Sequence, residues 1–162
     1  MFILFLLSAL GLVVSLAIHL STFLPGCALE TGQVWPLHIC VFPLFFIAIR
    51  KLRNDGTLDK ENSFVPADAP RWMRRMAAVF FVYAGVNFAM LFVHTRDGGP
   101  GMRDGKFVRQ SHGRVISEIT EAEYHQLQAY VARGFSGHWM LFYYAPMISF
   151  FAFWRRRARP TP

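Results

Sequence analysis

Apolar residues in this chain fall in blocks, and the charges fall between the blocks, which is neither the spacing of an amphipathic helix nor that of a half-buried strand. Four blocks stand out, at about 2–24, 34–49, 75–94 and 137–154. A hydrocarbon core of roughly 30 Å needs about 20 apolar residues in a helix, so the pattern predicts four membrane-spanning helices. The first block carries no charge from Phe2 to Leu24; the second is short and stops at Arg50-Lys51. Short blocks can span with the help of their flanking residues. The tryptophans mark block edges: Trp35 and Trp139 open the second and fourth, Trp72 precedes the third and Trp154 closes the fourth. Indole favours the membrane–water interface, which supports the same boundaries.

Between the third and fourth blocks, about residues 95–136, the pattern changes. The stretch Arg96 to Gly105 holds four glycines and a proline and is expected to be irregular. Lys106–Gln110 and Arg114–Ile119 read as two strands joined by a three-residue turn, Ser111-His112-Gly113, with Gly113 able to take positive φ. Thr120-Glu121-Ala122-Glu123 matches a capping box, predicting a helix that runs to about Arg133 and stops at Gly134. The expected fold is therefore an all-α membrane protein, a four-transmembrane-helix bundle. A small extracytoplasmic β-hairpin-plus-helix cap lies between spans three and four. On the other side, Asp55-Gly56 marks a turn and Pro70 a helix start.

Composition agrees with one polytopic domain over 1–162: of 162 residues, 54% are hydrophobic and 17 are Phe. The net charge of +7 would suggest nucleic acid, but the basic residues hug the block ends and no aromatic–basic RNA motif is present, so no nucleic-acid partner is expected. Their distribution instead sets topology. Arg50, Lys51, Arg53, Lys60, Arg71, Arg74, Arg75 and the tail residues Arg155, Arg156, Arg157 and Arg159 share one side. The first loop has no Lys or Arg, and the cap mixes its basic residues with carboxylates. The positive-inside rule then puts both termini in the cytoplasm, and the arginine-rich, lysine-poor composition points to a bacterial inner membrane. The first block lacks the charged start of a signal peptide, so a retained helix is expected, although Leu24-Pro25-Gly26-Cys27 resembles a lipobox. Cys27 and Cys40 form no CxxC pair, and two free thiols are expected in preference to a bridge.

Candidate chemistry rests on histidine. In the first block Ser8, Gly11, Ser15, His19 and Thr22 recur at helical steps and form one small or polar face. Ala77, Ala84, Asn87, Leu91 and His94 share a face in the third block; His138, Ala145, Ser149 and Ala152 do so in the fourth. Counting from the basic boundary puts His19, His94 and His138 roughly 24–28 Å up, and His38 roughly 18 Å up, a turn or two deeper. Neutral imidazole is a ligand for Zn, Cu or Fe, and two histidines on facing helices can hold haem axially. A four-helix membrane bundle bearing histidines resembles the general plan of b-type cytochromes, but only the plan; no residue role carries over. Proton or quinone handling, with Tyr83 and Asn87 as polar helpers, is a further use of such a face. HExxH, Walker A and GxSxG motifs are absent from the sequence. Two functions follow as expectations. The leading one is a non-enzymatic accessory or interaction protein that meets the lipid bilayer and a membrane partner or its own copies. The alternative is an intramembrane redox protein binding haem b or Cu/Zn through His19, His94, His138 and His38.

Overall fold

The computed structural model describes residues 1–24, 29, 31–57 and 64–158. Cys27 and the lipobox-like stretch around it, Lys60 and Arg159 lie outside the described residues. The order of elements is α1 (Phe2–Ser21), α2 (Thr31–Asn54), α3 (Arg71–Thr95), β1 (Gly99–Arg103), β2 (Lys106–Ser111), β3 (Arg114–Glu118) and α4 (Glu121–Ala158). Three helices, α1, α2 and α3, are long and apolar enough to cross a membrane. The fourth block does not meet that criterion, because tyrosines, tryptophans, a histidine and a proline dilute the apolar content of α4. The fourth span is therefore not supported by composition.

The helices do not form a square bundle. Helix α4 is the hub, and α1, α2 and α3 pack on it far more than on one another. Most of its lower half is buried, including Tyr143, Tyr144, Ile148, Phe150 and Phe153, while Leu141, Phe142 and Ala145 are only partly covered. A helix largely covered by its neighbours can hold polar aromatic residues that an exposed apolar helix would shed. The flanking helices show the converse, with Phe81, Val82, Phe92, Ile39, Phe46 and Ile3 exposed.

Pairings near both ends of each helix fix the directions. Phe2 meets Trp154 and Phe5 meets Phe151 at one end, and Thr22 meets Arg133 at the other, so α1 runs antiparallel to α4 along its whole length. Tyr144 donates to the Met73 carbonyl while Gly134 faces Leu91, so α3 is antiparallel as well. Helix α2 runs parallel to α4, with Trp139 bonded to His38 and Arg156 to Asp55. At this basic end Arg156 also makes a bidentate pair with Asp68, at 2.7 and 2.9 Å, tying the α2–α3 connection to the end of α4. Those hydrogen bonds push the already high pKa of Arg156 further up.

Helix α4 has 38 residues and no break at Gly134. The expected stop there is a correction with a clear cause. A Cβ on Gly134 would collide with the Leu91 side chain, and one on Gly137 would press on Asn87. These glycines let two helices approach; they do not terminate one. The cap helix and the fourth apolar block are thus one rod.

The capping box forms as read. The Thr120 N–H donates to Glu123 Oε2 at 2.9 Å and the Glu123 N–H donates to Thr120 Oγ1 at 3.2 Å. These bonds to the carboxylate, from the Thr120 backbone first and its hydroxyl second, lower the pKa of Glu123. The sheet differs in two ways. The glycine-rich stretch is not irregular, since Gly99–Arg103 pairs antiparallel with Lys106–Gln110 to make a three-stranded meander. Its turn is Asp104-Gly105, both at positive φ, the conformation a two-residue I′ hairpin demands. The second turn is also two residues, His112-Gly113 at φ 50° and 78°, because Ser111 pairs with Arg114. The sheet leans on α4 through Phe107, whose ring lies 4.8 Å from that of Tyr124.

Candidate functional site

The small face of α1 is buried as its spacing implies: Ser8, Ser15, His19 and Thr22 are all enclosed, as is Gly11. Ser8 and Ser15 each return a hydroxyl bond to the carbonyl four residues back, which removes their polarity from the contact surface. Gly11 lies against the ring of Tyr143, where a Cβ would overlap. Close approach at Gly11 brings the upper part of α1 onto α4, and that is what positions His19.

His19 is bonded at both ring nitrogens. Its Nδ1 is 2.9 Å from Ser136 Oγ and its Nε2 is 2.6 Å from the Tyr83 hydroxyl. The one proton of Ser136 goes to the Ala132 carbonyl at 2.7 Å, so Ser136 must accept from Nδ1–H. In the neutral ring Nε2 is then the acceptor, and Tyr83 O–H donates to it. One histidine so joins α1, α3 and α4 by directed bonds. Next to it, Arg133 donates from Nε to Thr22 Oγ1 at 3.1 Å and from a terminal nitrogen to the Thr22 carbonyl at 2.8 Å. Its guanidinium lies 4.0 Å over the Phe23 ring. A cation on the last carbonyls of α1 satisfies orphan acceptors and complements the helix dipole.

His38 lies elsewhere, on the α2 side. The Trp139 indole N–H donates to His38 Nδ1 at 2.6 Å, which leaves the proton of the neutral imidazole on Nε2. Trp139 is 2% exposed, so it belongs to the core and not to the interface where its position at a block edge had put it. His138 faces His38 at 6.2 Å between ring centres, and its Nδ1–H donates to the Gly134 carbonyl at 3.0 Å. His38 therefore sits level with His138, not one or two turns deeper. His94 stacks on Tyr130 at 3.5 Å and 10°. That is six residues along α4 beyond Ser136, about 9 Å farther towards the cap than His19. With Arg109, Glu123 and Gln126 it borders a small cavity of about 150 Å³ between α3, β2 and α4.

The four histidines thus occupy three places, and only His38 and His138 are neighbours. Among the described residues no group of three or more His, Cys, Asp or Glu gathers as a metal set. The bonding of each ring bears on ligation. His19 uses both nitrogens within the protein, and His38 has its Nδ1 occupied as an acceptor, which puts the proton on the nitrogen a metal would need. Only His138 has the arrangement of a ligating imidazole, with Nδ1–H held by a carbonyl and the Nε2 lone pair left over. No buried side-chain nitrogen or oxygen among the described residues lacks a hydrogen bond. The fully buried polar side chains are thus bonded within the protein, as helix–helix fastening would have them.

Ser136 and Arg133 were not singled out by sequence. Both stand in a run, Arg133-Gly134-Phe135-Ser136-Gly137, whose small residues carry the signal of a close helix crossing. No family model matches this chain, and comparison with curated proteins and with solved structures finds no similar protein.

Proposed function

We propose that this chain is a small, non-enzymatic accessory or interaction protein of a bacterial inner membrane, with four crossings and both termini in the cytoplasm. One observation carries the reading. Helix α4 continues without a joint from the bundle into the cap, so the cap is held in a fixed attitude to the helices. The fourth crossing draws support from register: residues 133–154 of α4 lie beside Phe2–Ser21, the most apolar span, from end to end. Whatever depth of bilayer α1 crosses, this part of α4 shares. The orientation rests on the basic residues gathered at the Arg156 end.

The cap then presents an interaction surface. Strand β3 is exposed at all five positions, and it is an edge of the sheet, with Val115 and Ile116 open to the surroundings and Met102 exposed on β1. Apolar side chains on an unpaired strand edge invite a partner strand or a membrane-protein partner, another copy of this chain included. The test is size measurement of the detergent-purified protein together with in-membrane cross-linking from position 116. A stable complex that Ile116→Lys abolishes, with the fold intact by circular dichroism, supports the reading. A clean monomer with no cross-link overturns it.

The alternative, a haem- or metal-binding redox protein using His19, His94, His138 and His38, draws its support from the His138 geometry alone. An absorption spectrum and elemental analysis for Fe, Cu and Zn separate the two. A Soret band or stoichiometric metal, lost in His138→Ala, would establish the alternative; neither signal would end it.

A further inference from the structure

Helices α2 and α3 both pack on α4 but scarcely on each other, and the space between them is an open groove. Its lower part measures about 670 Å³, with Phe45 of α2 on one wall, Ala78 and Phe81 of α3 on the other, and Leu141 and Ala145 of α4 as the floor. A second cavity of about 350 Å³ shares Phe81, Leu141 and Phe142 with the first and continues it to Phe88 and His138. The groove therefore runs along α3 from residue 74 to residue 88, about 21 Å at the rise of a helix.

Its lining is asymmetric in charge. Every lining residue of the lower part is apolar except Arg74, which stands at the basic end. Among the described residues Arg74 makes no ion pair with a carboxylate, in contrast to Arg156 on α4. Arg71 and Arg75 flank it on the first turns of α3, and Trp72 in the same turn is 63% exposed, at the height where indoles meet headgroups. A long apolar trough with one cationic end matches an amphiphile with one anionic end.

We infer that the groove between α2 and α3 is a binding site for an anionic phospholipid, its phosphate on Arg74 and one acyl chain laid along Phe81 and Leu141 towards His138. The small side chains of Ala77, Ala78 and Ala145 make the trough deep enough to take a chain, and the phenylalanines give it walls. A neutral zwitterionic lipid offers the same chain without the net charge. Selectivity between the two is therefore set at Arg74, while capacity is set by the alanines. A basic residue near an anionic headgroup region is worth about a fivefold preference.

The experiment is native mass spectrometry of the full-length, delipidated protein in detergent, titrated with phosphatidylglycerol and phosphatidylcholine of identical acyl chains. The expected result is one tightly retained phosphatidylglycerol, preferred about fivefold over phosphatidylcholine. Arg74→Gln, an exposed change, should erase the preference while leaving retention of a lipid. Ala78→Trp should reduce retention of both lipids by filling the trough. Equal retention of the two lipids by the unaltered protein, or an unchanged preference in Arg74→Gln, overturns the inference. So does a dimer that Ala78→Trp converts to monomer, which would assign the groove to a second copy. None of these outcomes depends on the cap-edge reading, which is tested at Ile116.

Discussion

Along α1, Gly11 stands so close to Tyr143 that a Cβ would overlap the ring, and along α3, Gly134 and Gly137 of α4 meet Leu91 and Asn87 in the same manner. Along α2 the contact with α4 is made by Trp139, Tyr143 and Phe142, and a Cβ on Gly32 of α2 would meet no neighbour within 4 Å. On the first two seams small residues let backbones approach, and polar bonds then reach across: His19 to Ser136 and Tyr83, Arg133 to Thr22. On the α2 seam the large rings hold the helices farther apart, and the α2–α3 side is left as an open trough. In lipid, where apolar surface gains little by leaving the solvent, close packing and directed hydrogen bonds are the main forces between helices. Directed bonds cross all three seams, since Trp139 donates to His38 and Tyr143 to the Leu37 carbonyl on the α2 side; what sets the α2 seam apart is contact through large rings in place of small residues.

Gly11→Leu tests the close seam most severely. The added side chain has no room beside Tyr143, whose hydroxyl is committed to the Leu37 carbonyl at 2.7 Å. A loss of about 1–3 kcal/mol is expected, read by thermal or denaturant unfolding in detergent. Gly85→Ala, a helical glycine with nothing within 4 Å, is the matched control and should be neutral or stabilising. Equal damage from both changes would break the contrast.

Ser136→Ala comes next. It removes the acceptor of His19 Nδ1–H in a buried site, at a cost of about 1–2 kcal/mol. Tyr83→Phe acts on the other nitrogen of the same ring, so a double-mutant cycle between the two should show coupling; strict additivity would mean that the ring does not work as one clasp. Trp139→Phe probes the α2 seam, where one indole bond to His38 is lost and the ring packing is kept. About 0.6 kcal/mol is expected, the average worth of such a bond between membrane helices. A cost larger than that of Ser136→Ala would show that α2 is fastened as tightly as α1.

The smallest effect lies outside the bundle, at the capping box of α4. Glu123 has its pKa lowered below the ordinary 4.5 by the Thr120 bonds. A carboxylate with a depressed folded-state pKa contributes stability that is fully present above the unfolded value and lost as pH falls through the folded one. Amide exchange at residues 120–124 should therefore be flat from neutral pH down to about 4.5 and accelerate below it, beyond the intrinsic pH trend. Glu123→Gln should flatten that step.

How much of this was legible beforehand depends on the range of the forces involved. Local signals were reliable: the capping box at Thr120, the turn at Gly56, the hairpin pair β2–β3 and the buried stripe of α1 are set by residues within a few positions of one another. Asp104-Gly105 was an equally local signal, overlooked because the glycines around it read as an irregular stretch. Residues whose role comes from a distant partner were misplaced. Trp139 carries the mark of an interface residue but is buried on His38, and Gly134 carries the mark of a helix end but is a crossing point with Leu91.

The histidines divide in the same way. Sequence spacing alone determined that His19 lies on the packed face of α1, because a helix has one period and the small residues follow it. Which histidines meet was decided only by tertiary structure. Helix α4 takes the centre of the bundle, α1 and α3 approach it through glycine, and α2 stands off on aromatic rings. That arrangement sends His19 to Ser136 and Tyr83, His38 to Trp139, and His94 out to the cap. Apolar blocks record how much chain a bilayer can hold; they carry no record of which helix will be enclosed by the others, since in lipid that choice rests on side-chain size and hydrogen bonds between residues on different blocks, far apart in the chain.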